Sequence, residues 1–382
     1  MAETAFRETA RAQHNLEAVR ARVSPAIAAL LPTLLAESPD PDGALNLFER
    51  LCREADDELF RLFQRHPALV HYALAIFGYS QYLGETLIQN TDLFHALARE
   101  KTLDRSQSRE DFEERLGRLR SRSLEIDAAL LLARFKRREY IRIMLRDVLG
   151  IAALADVTAE ISALCDVLIE AALAESALAM RNRFGAPQRV DHENRLTPVP
   201  FTVLSLGKLG GNELNYNSDV DLLFLFGNGE SPPDSKLPLR EYFIRLAQMV
   251  TETLSRPTRE GPVFRIDLRL RPQGNEGEPA IAIAHALNYY EHTAHDWELQ
   301  VLIKARRSAG DTKLAREFIR GVQARVYRTG LNFAAIETAW NSLEKIGERR
   351  RSARALHRSQ QGTDVKLDPG GIRDIEFLVQ CL

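Results

Sequence analysis

Two aspartates stand one residue apart at the head of an apolar run: Asp219 and Asp221 in "SDVDLLFLFG", residues 218–227. On a β-strand, residues i and i+2 point to the same face. Two carboxylates on one face repel each other unless a cation lies between them. A third, Asp267, sits between Ile266 and Leu268 in "GPVFRIDLRLRP", residues 261–272. If that segment pairs beside the first strand, three hard oxygen donors converge. Such a set suits Mg²⁺ or Mn²⁺, which keep some waters and take further ligands from phosphate oxygens. Two such ions can serve an in-line displacement at phosphorus, activating the attacking oxygen and stabilising the leaving one. Asp219, Asp221 and Asp267 are thus the expected metal ligands and catalytic residues.

The other half of that chemistry lies just upstream, in "LGKLGG", residues 206–211. Gly207, Gly210 and Gly211 can take backbone angles closed to other residues, and they let N–H groups approach a polyphosphate. Lys208 adds a point charge. The order of a Walker loop is absent. Arg269 and Arg271 alternate with Asp267 and are expected on its face, where a guanidinium could hold phosphate oxygens bidentately or serve an ordinary ion pair.

These residues need a frame. "VPFTVLSLG" and "DVDLLFLFG" read as strands, and "GPVFRIDLRLRP" as a third with Val263, Ile266, Leu268 and Leu270 alternating against charge. "LREYFIRLAQMVTETLS" is helical, with Phe243, Leu246, Val250 and Leu254 on one stripe. Upstream, residues 1 to about 185 follow a helical period. Leu131, Phe135, Ile141 and Leu145 share a stripe, and Asp156 is placed as the N-cap of the next long helix. Shorter helices break near Pro67 and Asn90, and Tyr79 and Tyr82 read as exposed. From about 280 the chain looks helical again. The expected organisation is a helical region 1–188, a small mixed α/β core 189–279, and a helical region 280–382. The fold class is α+β, mostly helical. The final "IEFLVQCL" reads as a helix cut in mid-pattern, as in a piece of a longer protein.

Composition sets outer limits. The 382 residues carry 51 basic and 53 acidic side chains, a formal net charge of -2, so no global field favours nucleic acid or an acidic membrane. Phosphate chemistry must rest on local charge. Cys52, Cys165 and Cys381 are far apart and read as small buried hydrophobes in a reducing cytosol. The N-terminus has no apolar core of the secretory type, and no stretch reaches the roughly 18–20 apolar residues of a membrane span. The expected location is cytoplasmic.

The joint pattern of strand, glycine turn, D-x-D opening an apolar strand and a later Asp resembles the nucleotidyltransferase superfamily typified by DNA polymerase beta. Four stretches narrow it: "GKLGGNELNYNSDVDLLFLF", "VFRIDLRLRPQG", "DWELQVLIKAR" and "VKLDPGGIRDIEFLVQ". They look like the glutamine synthetase adenylyltransferase and adenylyl-removing family, and "GYSQYLGETLIQNTDLF" is similar to its N-terminal segment. The wider superfamily often has Gly-Ser where this chain has Gly207-Lys208; the nearer family also has Lys. The resemblance implies a polymerase beta-like core in the adenylyl-removing half. That half would take AMP off a tyrosine of glutamine synthetase by phosphorolysis, with two Mg²⁺ or Mn²⁺ ions, inorganic phosphate as nucleophile and ADP as product. Transfer of AMP from ATP, and a noncatalytic docking role, are the alternatives. It further implies a PII-type nitrogen signalling protein as partner. The expected phosphate-binding set is Gly207, Lys208, Gly210, Gly211, Ser218, Arg269 and Arg271. Lys366, Arg373 and Glu376 in the last motif are supporting or substrate-facing candidates.

Overall fold

The computed structural model describes residues 6–99, 103–123, 126–191, 193–230 and 237–327, with Val365, Gly371, Ile372 and Ile375. The candidates Lys366, Arg373 and Glu376, the helix expected at the end of the chain and Cys381 lie outside the described residues.

The chain divides into two compact units. The first comprises residues 1–172, 212–218 and 252–265; the second comprises 173–211, 219–251 and 266–382.

The first unit is built from α1 (Thr9–Arg20), α2 (Pro25–Ala36), α3 (Pro41–Glu54), α4 (Asp57–Arg65), α5 (Ala68–Tyr79), α6 (Gln81–Gln89), α7 (Asp92–Arg99), α8 (Arg109–Ser121), α9 (Ala128–Val148) and the first part of α10 (Leu154–Phe184). The helices start where short polar side chains can satisfy free backbone N–H groups. Asp56 accepts from Leu59 N at 3.0 Å, Ser80 from Leu83 N at 3.2 Å, and Ser108 forms a capping box with Asp111. Apolar residues recur at helical spacing and meet inside: Phe48, Phe63, Phe94, Phe112 and Phe135 are all buried. Leu131, Phe135, Ile141 and Leu145 are buried together, as the stripe on α9 requires. Asp156 is not the N-cap of α10. The helix starts at Leu154, and Asp156 falls in its first turn, where a carboxylate favours the positive end of the helix dipole. No helix among the described residues is long and apolar enough to cross a membrane.

The second unit holds a hairpin, β1 (Gln188–Val190) with β2 (Leu196–Pro198), and a mixed sheet. The sheet contains β3 (Phe201–Ser205), β4 (Val220–Phe226), β5 (Ile266–Asp267), β6 (Ala280–Ala282) and β7 (Arg306–Gly310). A single helical turn, α11 (Gly207–Gly210), follows β3; α12 (Leu239–Ser255) follows β4. Three helices come after β6: α13 (Ile283–His292), α14 (Asp296–Val301) and α15 (Thr312–Val326). β4 is central. It pairs antiparallel with β3 and parallel with both β5 and β6, while β7 lies antiparallel on the far side of β3.

Apolar side chains cover both faces of β3 and β4, which is why these strands read as continuous hydrophobic runs. Leu204, Leu223 and Leu225 pack with Tyr290 and Phe318 from α13 and α15. On the other face Phe201, Phe224 and Phe226 meet Phe243 of α12, with ring centroids 4.8 Å apart for Phe226 and Phe243.

Two sequence expectations change here. The strand expected over 261–272 is confined to Ile266–Asp267. Beyond it, Arg271 donates to the carbonyls of Leu268 (2.7 Å) and Gly277 (2.8 and 3.0 Å), which curls the chain. The sheet also continues past 279, because β6 and β7 come from the region read as helical.

Candidate active site

The site forms where β4 begins. Val220 pairs with Ile266, and Asp221 stands in register beside Asp267. In a parallel pair, residues in register project to the same side of the sheet. Asp219 is exposed just before the strand and Asp221 is half-buried, so the apolar run of β4 begins only after the carboxylates.

The loop from β3 returns against the same point. Leu206 N donates to Asp221 O at 3.0 Å. Gly207 has φ +54, and a Cβ added there would collide with the Asp221 carboxylate. A side chain at 207 would thus be strained and would displace the aspartate. Gly210 is needed for a different approach, since its Cβ would run into the backbone carbonyl of Lys304. The N–H groups of Gly210 and Gly211 bond to the carbonyls of Leu206 and Gly207, at 2.9 and 3.1 Å. These two donors hold the turn together, whereas the sequence reading turned them toward phosphate. Lys208 is half-buried in the same turn.

Arg269 brings a positive charge to the site. Its Nε donates to both Asp267 oxygens, at 3.0 and 2.8 Å, and its guanidinium remains exposed. The hydrogen bond from Arg269 holds the Asp267 carboxyl below its ordinary range, against the opposing effect of burial. Arg269 is itself raised, first by that hydrogen bond and Asp267's charge, and then by the charges of Asp219 and Asp221. One guanidinium therefore feels all three carboxylates. Arg271 does not share that position: it staples the following turn through backbone carbonyls. Ser218 Oγ donates to Asn215 Oδ1 at 2.6 Å within the first unit.

Three carboxylates around one strand end fit a hard divalent cation in donor type and charge. Among the described residues no group of three or more His, Cys, Asp or Glu is gathered closely enough to hold a metal as the side chains stand. Asp267 is turned onto Arg269.

Sequence reasoning assigned no role to Arg306. Its guanidinium donates to Leu209 O at 2.9 and 3.2 Å and ties β7 to the turn of α11. Arg306 ends the stretch "DWELQVLIKAR", but nothing in its spacing points at a carbonyl nearly a hundred residues away.

Residues 70–321 match the family model described as glutamate-ammonia ligase adenylyltransferase. The chain belongs to this family. It is similar to proteins named bifunctional glutamine synthetase adenylyltransferase/adenylyl-removing enzyme. That of Nitrosococcus oceani is 37% identical over 261 residues, covering 68% of this chain and 26% of the relative. That of Hahella chejuensis is 33% identical over 310 residues, covering 80% and 31%. That of Shewanella woodyi is 31% identical over 337 residues, covering 87% and 33%. The chain spans about a quarter to a third of the length of these relatives.

Proposed function

We propose that this chain removes AMP from an adenylylated tyrosine of glutamine synthetase by phosphorolysis. The observation that carries the reading is the register of Asp221 beside Asp267, with Gly207 pressed against the Asp221 carboxylate. It gathers acid where a family named for adenylyl transfer needs a polyphosphate to approach.

In this reading an oxygen of inorganic phosphate attacks the phosphorus of the adenylyl group. The bond from phosphorus to the tyrosine oxygen breaks, that oxygen takes up a proton, and ADP leaves. Asp219, Asp221 and Asp267 would hold Mg²⁺ or Mn²⁺, which supplies charge neutralisation at phosphorus. Arg269, freed from Asp267, would turn to phosphate oxygens through its planar fork. Lys208 would add charge from the glycine turn. The likeness of "GYSQYLGETLIQNTDLF" to the family's N-terminal segment supports the removing direction; the carboxylates themselves serve transfer from ATP equally well. A PII-type signalling protein as regulator and a cytoplasmic setting belong to the same reading.

Adenylylated glutamine synthetase, labelled phosphate and Mg²⁺ are expected to give labelled ADP with this chain. Replacing Asp221 by Asn should lower that rate about 10²- to 10³-fold, the scale of losing one electrostatic stabiliser, with the melting temperature unchanged. Release of AMP would make water the nucleophile and overturn phosphorolysis. Full activity in the Asn variant would make the aspartate structural.

A further inference from the structure

The turn that follows Asp267 is closed by its own bonds. Arg271 reaches the carbonyls of Leu268 and Gly277, and Gly274 N donates to Arg271 O at 2.9 Å. The arms approach so closely that a Cβ at Gly277 would collide with Pro272 O. Between them Gln273 holds a left-handed backbone, φ +63, which a residue with a Cβ keeps only where its surroundings hold it. The start of the turn touches the carboxylate directly: Arg269 N donates to Asp267 Oδ1 at 2.8 Å.

The turn is tied to α13 at its left-handed residue. Gln273 N donates to Tyr289 Oη at 3.3 Å, and Tyr289 Oη donates to Glu298 Oε1 of α14 at 2.7 Å. A phenol has one proton to give. With that proton committed to Glu298, a lone pair is left to accept from Gln273 N. Burial, and then the hydrogen bond to Glu298, raise the Tyr289 hydroxyl above its ordinary range, so it stays a donor.

Glu298 is 4% exposed, and its second oxygen accepts from His295 N at 2.9 Å. Buried carboxylates need partners, and both of these donors are neutral. An amide side chain accepts at one oxygen only, so two acceptors at this point call for an acid. Capping the start of α14 uses one oxygen; the other is given to Tyr289. Glu298 lies in "DWELQVLIKAR", to which the proposed chemistry assigns nothing.

We infer that Tyr289, its hydroxyl held by Glu298, is a positioning residue for Asp267. The pair holds Gln273, Gln273 holds the turn, and the turn sets Arg269 N against the Asp267 carboxylate. The inference rests on the reading of Asp267 as a cation ligand, and the test separates the two.

The test is Mn²⁺ affinity of the whole chain, read by loss of the free-ion paramagnetic resonance signal. Melting temperature and, without metal, amide hydrogen exchange over residues 268–277 are measured beside it. Tyr289→Phe removes the hydroxyl and keeps the ring. It is expected to weaken Mn²⁺ about tenfold, the lower end for losing a group that orients a ligand, and to speed exchange across the turn with melting little changed. Glu298→Ala should lose about as much, and the two substitutions together no more than either alone, because both act through one bond. Glu298→Gln still offers an oxygen to Tyr289 and should recover most of the loss. Where Glu298→Ala does not fold, Tyr289→Phe carries the test alone. Unchanged affinity or unchanged exchange in Tyr289→Phe, beside a wild type that binds Mn²⁺, would overturn the inference and leave the reading of Asp267 standing. Losses that add would do the same. A wild type that takes up no Mn²⁺ would remove that reading and the inference with it.

Discussion

Two clusters of charge in this chain solve opposite problems. In the helical unit, Glu139 and Glu160 are buried and share three arginines. Glu139 accepts from Arg115 and Arg142 at 3.0 and 3.1 Å. Glu160 accepts from Arg142, from Arg146 at 2.6 Å and from Gln107 N at 2.6 Å. At the head of β4 the carboxylates stand nearer to solvent. Asp219, Asp221 and Asp267 are less buried, and the charges of all three raise Arg269. The first cluster is shut inside the helices. The second lies at a place a ligand can reach. Both contain ionic pairs, so pairing alone does not mark a functional site; access to it does.

The largest expected effect breaks the closed cluster. Glu160→Ala takes a buried carboxylate away from both Arg142 and Arg146, leaving Arg142 with Glu139, and loss of one partner from a buried pair costs about 3–5 kcal/mol. Urea unfolding should show that loss. A change under about 1 kcal/mol, the range of exposed pairs, would mean the network matters no more than a surface one.

Gly207→Ala sharpens the contrast from the other side. Its left-handed backbone costs a residue with a Cβ about 1–2 kcal/mol, and the added methyl meets the Asp221 carboxylate. Melting should fall modestly, whereas the rate of ADP release should fall far more than the lost stability explains. Equal losses in both would separate Gly207 from the chemistry.

Arg269→Met should have the smallest effect on folding, since its guanidinium is exposed. The pair with Arg269 depresses the folded Asp267 value, so its stabilisation is fully present above the ordinary carboxylate value of 3.8 and is lost as pH falls through the depressed one. The small melting difference between wild type and Arg269→Met should therefore shrink on acidification below that range. A difference that grows there would contradict the pairing.

How far the sequence reached follows from what each segment needed. β3, β4 and α12 were legible because burial on two faces, or on one stripe, leaves a periodic apolar signature. Asp219 and Asp221 stood out because carboxylates interrupt such a signature. The true length of β5 was hidden: Leu268 and Leu270 continue the alternation, while Arg271's bonds to the carbonyls of Leu268 and Gly277 curl the chain away after Asp267. β7 was hidden for another reason. "RRSAG" buries Ser308 and Ala309, small side chains with no hydrophobic contrast.

The account turns on whether the carboxylates at the head of β4 take a cation. Mn²⁺ titration followed by loss of the free-ion paramagnetic resonance signal measures this directly. The wild-type chain should take up Mn²⁺, Arg269→Met should take it up at least as tightly once the rival for Asp267 is gone, and the Asp219→Asn, Asp221→Asn double variant should not. No uptake by the wild type, or equal uptake by a double variant that melts normally, would contradict the account.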